Sequence, residues 1–246
     1  MSSSLRLAIS ASALLAAALL VVGCTSTPGS TPPTSGVDDT STAPDDGFDI
    51  GGDLEAAWLD DGRMFAVVTW GSSSCIPTTT DVTADGQTVT VTLSEGEADQ
   101  ACTADLAPRA SLVALPEGVD PTQDVELIVS LGSATDDVDL DGNSALTGIP
   151  GESTDYAPSA GWFDDGALVL LTWGSSTCPP MVDSIEASGD AGTVAFVTED
   201  RVCTMDMAPR ATIIDFGDQV DDDAEDGFVL TLVGDNLDAT VDVRNS

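Results

Sequence analysis

The chain has 246 residues, and 43 acidic against 6 basic side chains give it a formal net charge of −37 at pH 7. Such a charge argues against nucleic acid as a partner, because it repels phosphate backbones. The bases are all Arg and there is no His, which removes Ser-His-Asp and Cys-His machinery, His-ligated zinc, Schiff-base lysines and Walker-type phosphate lysines. Carboxylate chemistry and oxygen-ligated metal remain.

Arg6 precedes an apolar run from Leu7 to Val22, shorter than the about 20 residues that a spanning helix needs. Residues 1–23 therefore read as a signal peptide. The run closes on Val21, Val22, Gly23 and Cys24, the pattern of a bacterial lipobox, in which the Cys24 thiol takes a diacylglyceryl group and becomes the first residue of the mature chain. Two or three acyl chains, palmitate among them, at about 0.8 kcal/mol per buried methylene make a stable anchor. The expected location is the extracellular face of the cell membrane, with the lipid as the membrane contact. Residues 24–52 are almost wholly Ser, Thr, Pro, Gly and Asp, a flexible tether.

After the tether the chain is written twice. Thr69 to Cys75 (TWGSSSC) and Cys102 to Ala110 (CTADLAPRA) return about a hundred residues later as Thr172 to Cys178 (TWGSSTC) and Cys203 to Ala211 (CTMDMAPRA). Trp58 to Gly62 likewise returns as Trp162 to Gly166, and Leu127 to Gly132 matches Val229 to Gly234. The expected domains are a first copy over 53–146, a linker over 147–159 and a second copy over 160–246.

In the first copy, Leu54 to Leu59, Asp60-Asp61-Gly62 and Met64 to Trp70 read as strand, tight turn, strand. Phe65 to Val68 is a continuous apolar run, which predicts a strand buried on both faces. Thr88 to Leu93 alternates strictly, which predicts a half-buried strand with Val89, Val91 and Leu93 inward. Ala110 to Leu115, Val125 to Leu131 and Val138 to Leu140 complete the set, and the second copy repeats it. The predicted fold is all-β: two tandem antiparallel sandwiches or small barrels.

Four cysteines follow Cys24, and four allow three pairings. The repeat selects Cys75 with Cys102 and Cys178 with Cys203, bonds that persist in an exported protein. Asp105 with Arg109, and Asp206 with Arg210, sit four residues apart at the same place in each copy and read as structural ion pairs. Asp137, Asp139 and Asp141 open like a calcium loop with Gly142 at position six, although Gly148 stands at the twelfth place. Calcium is the one cofactor these residues offer; the other reading is an edge strand and its turn.

The lipobox, the tether and the strings WGSSSC, CTADLAPR, WGSSTCPP and CTMDMAPR together resemble uncharacterised secreted lipoproteins of high-GC Gram-positive bacteria. The resemblance covers the whole chain and brings no activity with it. The expected function is a non-catalytic surface module that binds an envelope or extracellular ligand through the loops after Trp70 and Trp173. Two alternatives are a carboxylate-based hydrolase of wall polysaccharide and a double-headed protease inhibitor with Ser72 to Pro77 as bait.

Overall fold

The computed structural model describes residues 54–97, 99–220 and 227–246. The signal peptide, Cys24, the tether and most of the acidic loop after Asp218 lie outside them. The first copy supplies β1 (Glu55–Leu59), β2 (Met64–Gly71), β3 (Thr78–Asp85), β4 (Thr88–Ser94), β5 (Ala107–Ala114), β6 (Val125–Leu131) and β7 (Ala134–Leu140). The second supplies β8 (Ser159–Asp164), β9 (Ala167–Gly174), β10 (Val182–Ser188), β11 (Ala191–Phe196), β12 (Ala208–Asp215), β13 (Val229–Val233) and β14 (Ala239–Arg244).

The protein is all-β, and the same order recurs in both copies: β1-β2-β5 and β8-β9-β12 form one layer each, while β3-β4-β6-β7 and β10-β11-β13-β14 form the other. The layers pack as a single stack rather than as two separate sandwiches or barrels. Trp58, Phe65, Val67 and Val113 meet Val91, Leu127 and Val129 in a first core, and Trp162, Leu168, Leu170 and Ile214 meet Val194, Leu230 and Val241 in a second. Between them a third apolar layer joins Ala57, Leu59, Ala66 and Val68 of the first copy to Phe163, Val169 and Leu171 of the second. This is why Phe65 to Val68 runs apolar without alternation: Phe65 and Val67 face one core while Ala66 and Val68 face the other copy.

At the centre of that third layer β1 and β8 run antiparallel without pairing. The Asp60 amide donates to Ser159 Oγ at 2.8 Å, and Gly161 lies so close to Trp58 that a Cβ there would stand 2.4 Å from the Trp58 carbonyl oxygen. Ala57 is the counterpart of Gly161 in the repeat and faces it. The copies are thus related by an approximate two-fold axis through this pair, the isologous geometry of a symmetric dimer within one chain.

Three expectations need correction. The sheets are not wholly antiparallel: β4 pairs β6 in parallel, from Thr88↔Glu126 to Leu93↔Leu131, and β11 pairs β13 likewise. The chain leaves β4 for β5 in the other layer and returns, so β6 arrives in the direction of β4. β14 also pairs β8 in parallel at Val243↔Ala160, joining the second copy's layers into one seven-stranded sheet. The match of Leu127 to Val229 shifts by one. Leu127 sits beside Val89, and its structural counterpart Leu230 sits beside Gly192, the counterpart of Val89.

The paired Trp residues differ in one respect. Trp58 Nε1 donates to the Asp141 carbonyl at 2.8 Å, whereas buried Trp162 Nε1 has no acceptor. Trp58→Phe is therefore expected to cost about 1 to 2 kcal/mol more than Trp162→Phe in urea unfolding, since only the first strands a bonded carbonyl.

Candidate functional site

Each disulfide closes a tip. Cys75 bonds Cys102 and Cys178 bonds Cys203, each within its own copy. Around them, hydroxyls of the repeated strings bond one another. Ser72 Oγ lies 2.7 Å and Ser74 Oγ 3.2 Å from Thr103 Oγ1, and the Thr103 amide donates to Ser74 Oγ at 3.0 Å. In the second copy Ser175 Oγ lies 2.8 Å from Thr204 Oγ1, and the Thr204 amide donates to Thr177 Oγ1 at 3.1 Å.

Asp105 and Asp206 complete these networks and do not form the expected ion pairs with Arg109 and Arg210. Asp105 accepts from the Ser73 amide at 3.2 Å and from Thr103 Oγ1; Asp206 accepts from the Ser176 amide at 3.2 Å and from Thr204 Oγ1. Hydrogen bonding from Ser73 and Thr103 lowers the Asp105 pKa to about 2, and Thr204 with Ser176 does the same for Asp206. The arginines instead gather carbonyls. Arg109 Nη1 donates to the Cys75 carbonyl at 2.8 Å, and Arg210 donates to the Cys178 and Trp173 carbonyls at 2.9 and 3.0 Å. Glu95, 3.6 Å from Arg109, is its one carboxylate partner among the described residues. The loop after β2 turns sharply where the chain needs its carbonyls bonded, and a five-donor guanidinium beneath it answers that need. Arg109→Lys, with fewer and differently directed donors, is expected to cost about 2 kcal/mol, measured by thermal melting.

The pH dependence of the tips follows from the lowered carboxyls. Their stabilisation is fully present above the ordinary value of 3.8 and is lost as pH falls through about 2. Acid titration followed by hydrogen exchange should show both tips opening between those values, with Asp105→Asn and Asp206→Asn abolishing the step. Asp60 has the opposite sign: burial raises its carboxyl, so its contribution is present at low pH and fades as pH rises through the raised value.

These networks bear on the alternatives. A carboxyl ionised down to about pH 2 is a poor general base, so Ser72, Ser74 and their counterparts lack an activator. Ser72 to Cys75 is a turn closed by the Cys75 amide on the Ser72 carbonyl at 3.2 Å, not an extended bait. Trp58 and Trp162, the aromatics nearest the Asp-Asp-Gly turns, are buried in the two cores and offer a sugar no platform. Asp137 and Asp139 lie exposed along β7 and Asp141 follows it, so the calcium-loop reading gives way to the strand. At about 3.3 Å per residue an extended chain puts Asp137 and Asp141 about 13 Å apart, and the three carboxylates do not gather into a metal-holding group.

The residues that differ between copies were not singled out by sequence reasoning, although the alignment held the signal. Gln100, Ala101, Ala104 and Leu106 of the first tip become Arg201, Val202, Met205 and Met207 in the second. Val202 and Met205 are fully solvent-exposed, at 103% and 104%, and Met207 is 59% exposed. These apolar groups stand on a disulfide-stapled loop and are uncovered among the described residues.

No family model matches the chain, and neither a curated protein nor a solved structure matches it. Among the described residues, no helix is long and apolar enough to cross a membrane, and no group of three or more His, Cys, Asp or Glu is arranged to hold a metal ion.

Two clefts flank the β1/β8 seam, related by the approximate two-fold axis. One, of about 380 Å³, lies between the Asp60-Asp61-Gly62 turn and β14 and is lined by Asp61, Arg63, Asp155, Ser159, Asp242 and Arg244. The other, of about 480 Å³, lies between the Asp164-Asp165-Gly166 turn and β7. The same tripeptide folds differently in them. Asp60 and Asp61 have φ of 48° and 55°, left-handed values, whereas in the second copy only Gly166 does, at 68°. The strain in the first turn is held by the inter-copy linker: Thr154 Oγ1 donates to Asp60 at 2.8 Å, Thr147 Oγ1 to Asp61 at 2.7 Å and the Gly148 amide to the Asp61 carbonyl at 2.8 Å.

Proposed function

We propose that this is a non-catalytic, lipid-anchored surface protein that binds an envelope partner through the tip of its second repeat. The reading takes the signal peptide, the Cys24 anchor and the resemblance to Gram-positive lipoproteins as its setting, and it treats each copy as descended from a small sandwich domain. The observation that carries it is the contrast between the tips. Both share the disulfide, the hydroxyl network and the carbonyl-gathering Arg, so those serve the scaffold. Only the second replaces two Ala by exposed Val202 and Met205, which the first copy shows the fold does not need.

The partner's chemistry follows from charge. An apolar prong on a body of net charge −37 is complemented by a protein with an apolar recess bordered by Lys and Arg, and is repelled by acidic polysaccharide or anionic lipid. The test grafts the first tip onto the second: Arg201→Gln, Val202→Ala, Met205→Ala and Met207→Leu. Because these residues already occupy the same positions in the first copy, the graft should fold and melt normally. Wild-type protein should be retained by isolated envelope, lose retention after the envelope is protease-treated, and bind at least about tenfold more tightly than the graft. Equal retention of both, or retention by protein-free wall, overturns the reading. Muramidase and protease-inhibition assays on the same preparations test the two alternatives.

A further inference from the structure

We propose that the seam cleft beside Arg63 and Arg244 binds a small zwitterion of the α-amino acid type, its carboxylate toward the two guanidinium groups and its ammonium toward Asp61, Asp155 and Asp242. This site is separate from the tips and does not depend on the function proposed for them.

The internal symmetry supplies the comparison. The clefts have similar walls, yet the counterparts of Arg63 and Arg244 around the other cleft are Gly166, whose carbonyl accepts from Phe216 as that of Arg63 does from Leu115, and Asp141. Only one cleft of the pair mixes charges, and it gathers two of the chain's 6 bases. The guanidinium groups keep donors to spare: Arg63 Nη1 donates to the Asp60 carbonyl at 3.1 Å, one bond for a fork of five N–H groups. Arg63 reaches Asp60 at 3.6 Å and Asp155 at 3.5 Å, long for ion pairs, and its buried Nε has no hydrogen-bond partner. Arg244 makes no ion pair among the described residues, which the two-fold counterpart would not require of it.

The charge of the ligand follows from the field. A net anion would have to enter against −37, and two guanidinium groups set among the lining Asp carboxylates call for a carboxylate as well as an ammonium. A net-neutral molecule with both charges satisfies each wall, and the volume of about 380 Å³ admits one of this size. Arg is suited to the carboxylate end because its fork holds two oxygens.

Calorimetric titration of the purified chain with glycine, L-alanine, acetate and ethylamine tests the assignment. Glycine or L-alanine should bind, with acetate and ethylamine each at least about tenfold weaker because each satisfies one wall. Arg244→Gln, at a half-exposed position on the last strand, should weaken the amino acids at least about tenfold without lowering the melting temperature, while Asp141→Asn in the other cleft should leave binding unchanged. The assignment is overturned if neither amino acid binds, if acetate binds as tightly as glycine, or if Arg244→Gln has no effect. Should Arg244→Gln destabilise the chain, Arg244→Lys replaces it: retained charge without the fork should still weaken the carboxylate contact, and undiminished binding counts against it.

Discussion

Gly161→Val should destabilise the protein by about 3 kcal/mol or more and lower its melting temperature by roughly 6 to 12 °C. Gly161 does not have a left-handed backbone, so conformational strain plays no part. The cost is contact: a Cβ at this position would lie 2.4 Å from the Trp58 carbonyl oxygen, 3.2 Å from the Trp58 amide nitrogen and 3.3 Å from Ala57 Cβ. Two of those neighbours are backbone and cannot turn aside. To accommodate even a methyl group β1 and β8 must separate, and the apolar layer holding Leu59, Val68, Val169 and Leu171 opens with them. Gly189→Ala is the control. It meets nothing within 4 Å but has φ of 63°, so it should cost only the left-handed penalty of about 1 to 2 kcal/mol.

Removing the second disulfide as Cys178→Ala with Cys203→Ala should cost about 3.5 kcal/mol in denaturant unfolding on chain-entropy grounds, for a sequence separation of 25. The first disulfide, with a separation of 27, closes nearly the same loop and should cost nearly the same. The functional effect should differ between them. Cys203 lies between Val202 and Met205, so opening its bond frees the loop that presents them, and retention on envelope should fall with it. Loss of Cys75–Cys102 should reduce stability while sparing binding, since the first tip carries Ala101 and Ala104 at those places.

Much of the architecture was legible because a few strands announce their surroundings. The alternation of Thr88 to Leu93 placed Val89, Val91 and Leu93 in the core, and the unbroken run of Phe65 to Val68 marked a strand covered on both sides. That run showed a second cover was needed without saying what it was, because apolar sequence does not name the surface it meets. β3 and β10 escaped notice for the opposite reason. Thr78 to Asp85 and Val182 to Ser188 are edge strands, mostly exposed, with too few buried positions to leave a period. The parallel pairings were invisible since direction depends on β5 and β12 crossing to the other layer, a long-range matter.

At the tips, sequence spacing found the right residues and the wrong bonds. Asp105 and Arg109 are close in the chain, but the Ser73 amide and the Cys75 carbonyl compete for them and win, leaving each charge in a different network. The strings that repeat proved to be the ones the scaffold uses. The positions that set the copies apart, Arg201, Val202, Met205 and Met207 at one end and Arg63 and Arg244 at the seam, became meaningful once burial and the two-fold relation were known.

Differential scanning calorimetry of the intact chain tests most directly whether the two repeats are one folded stack. A shared apolar layer centred on Gly161 and Ala57 predicts a single transition whose calorimetric and van't Hoff enthalpies agree. Two separable transitions, one for each repeat, would contradict it.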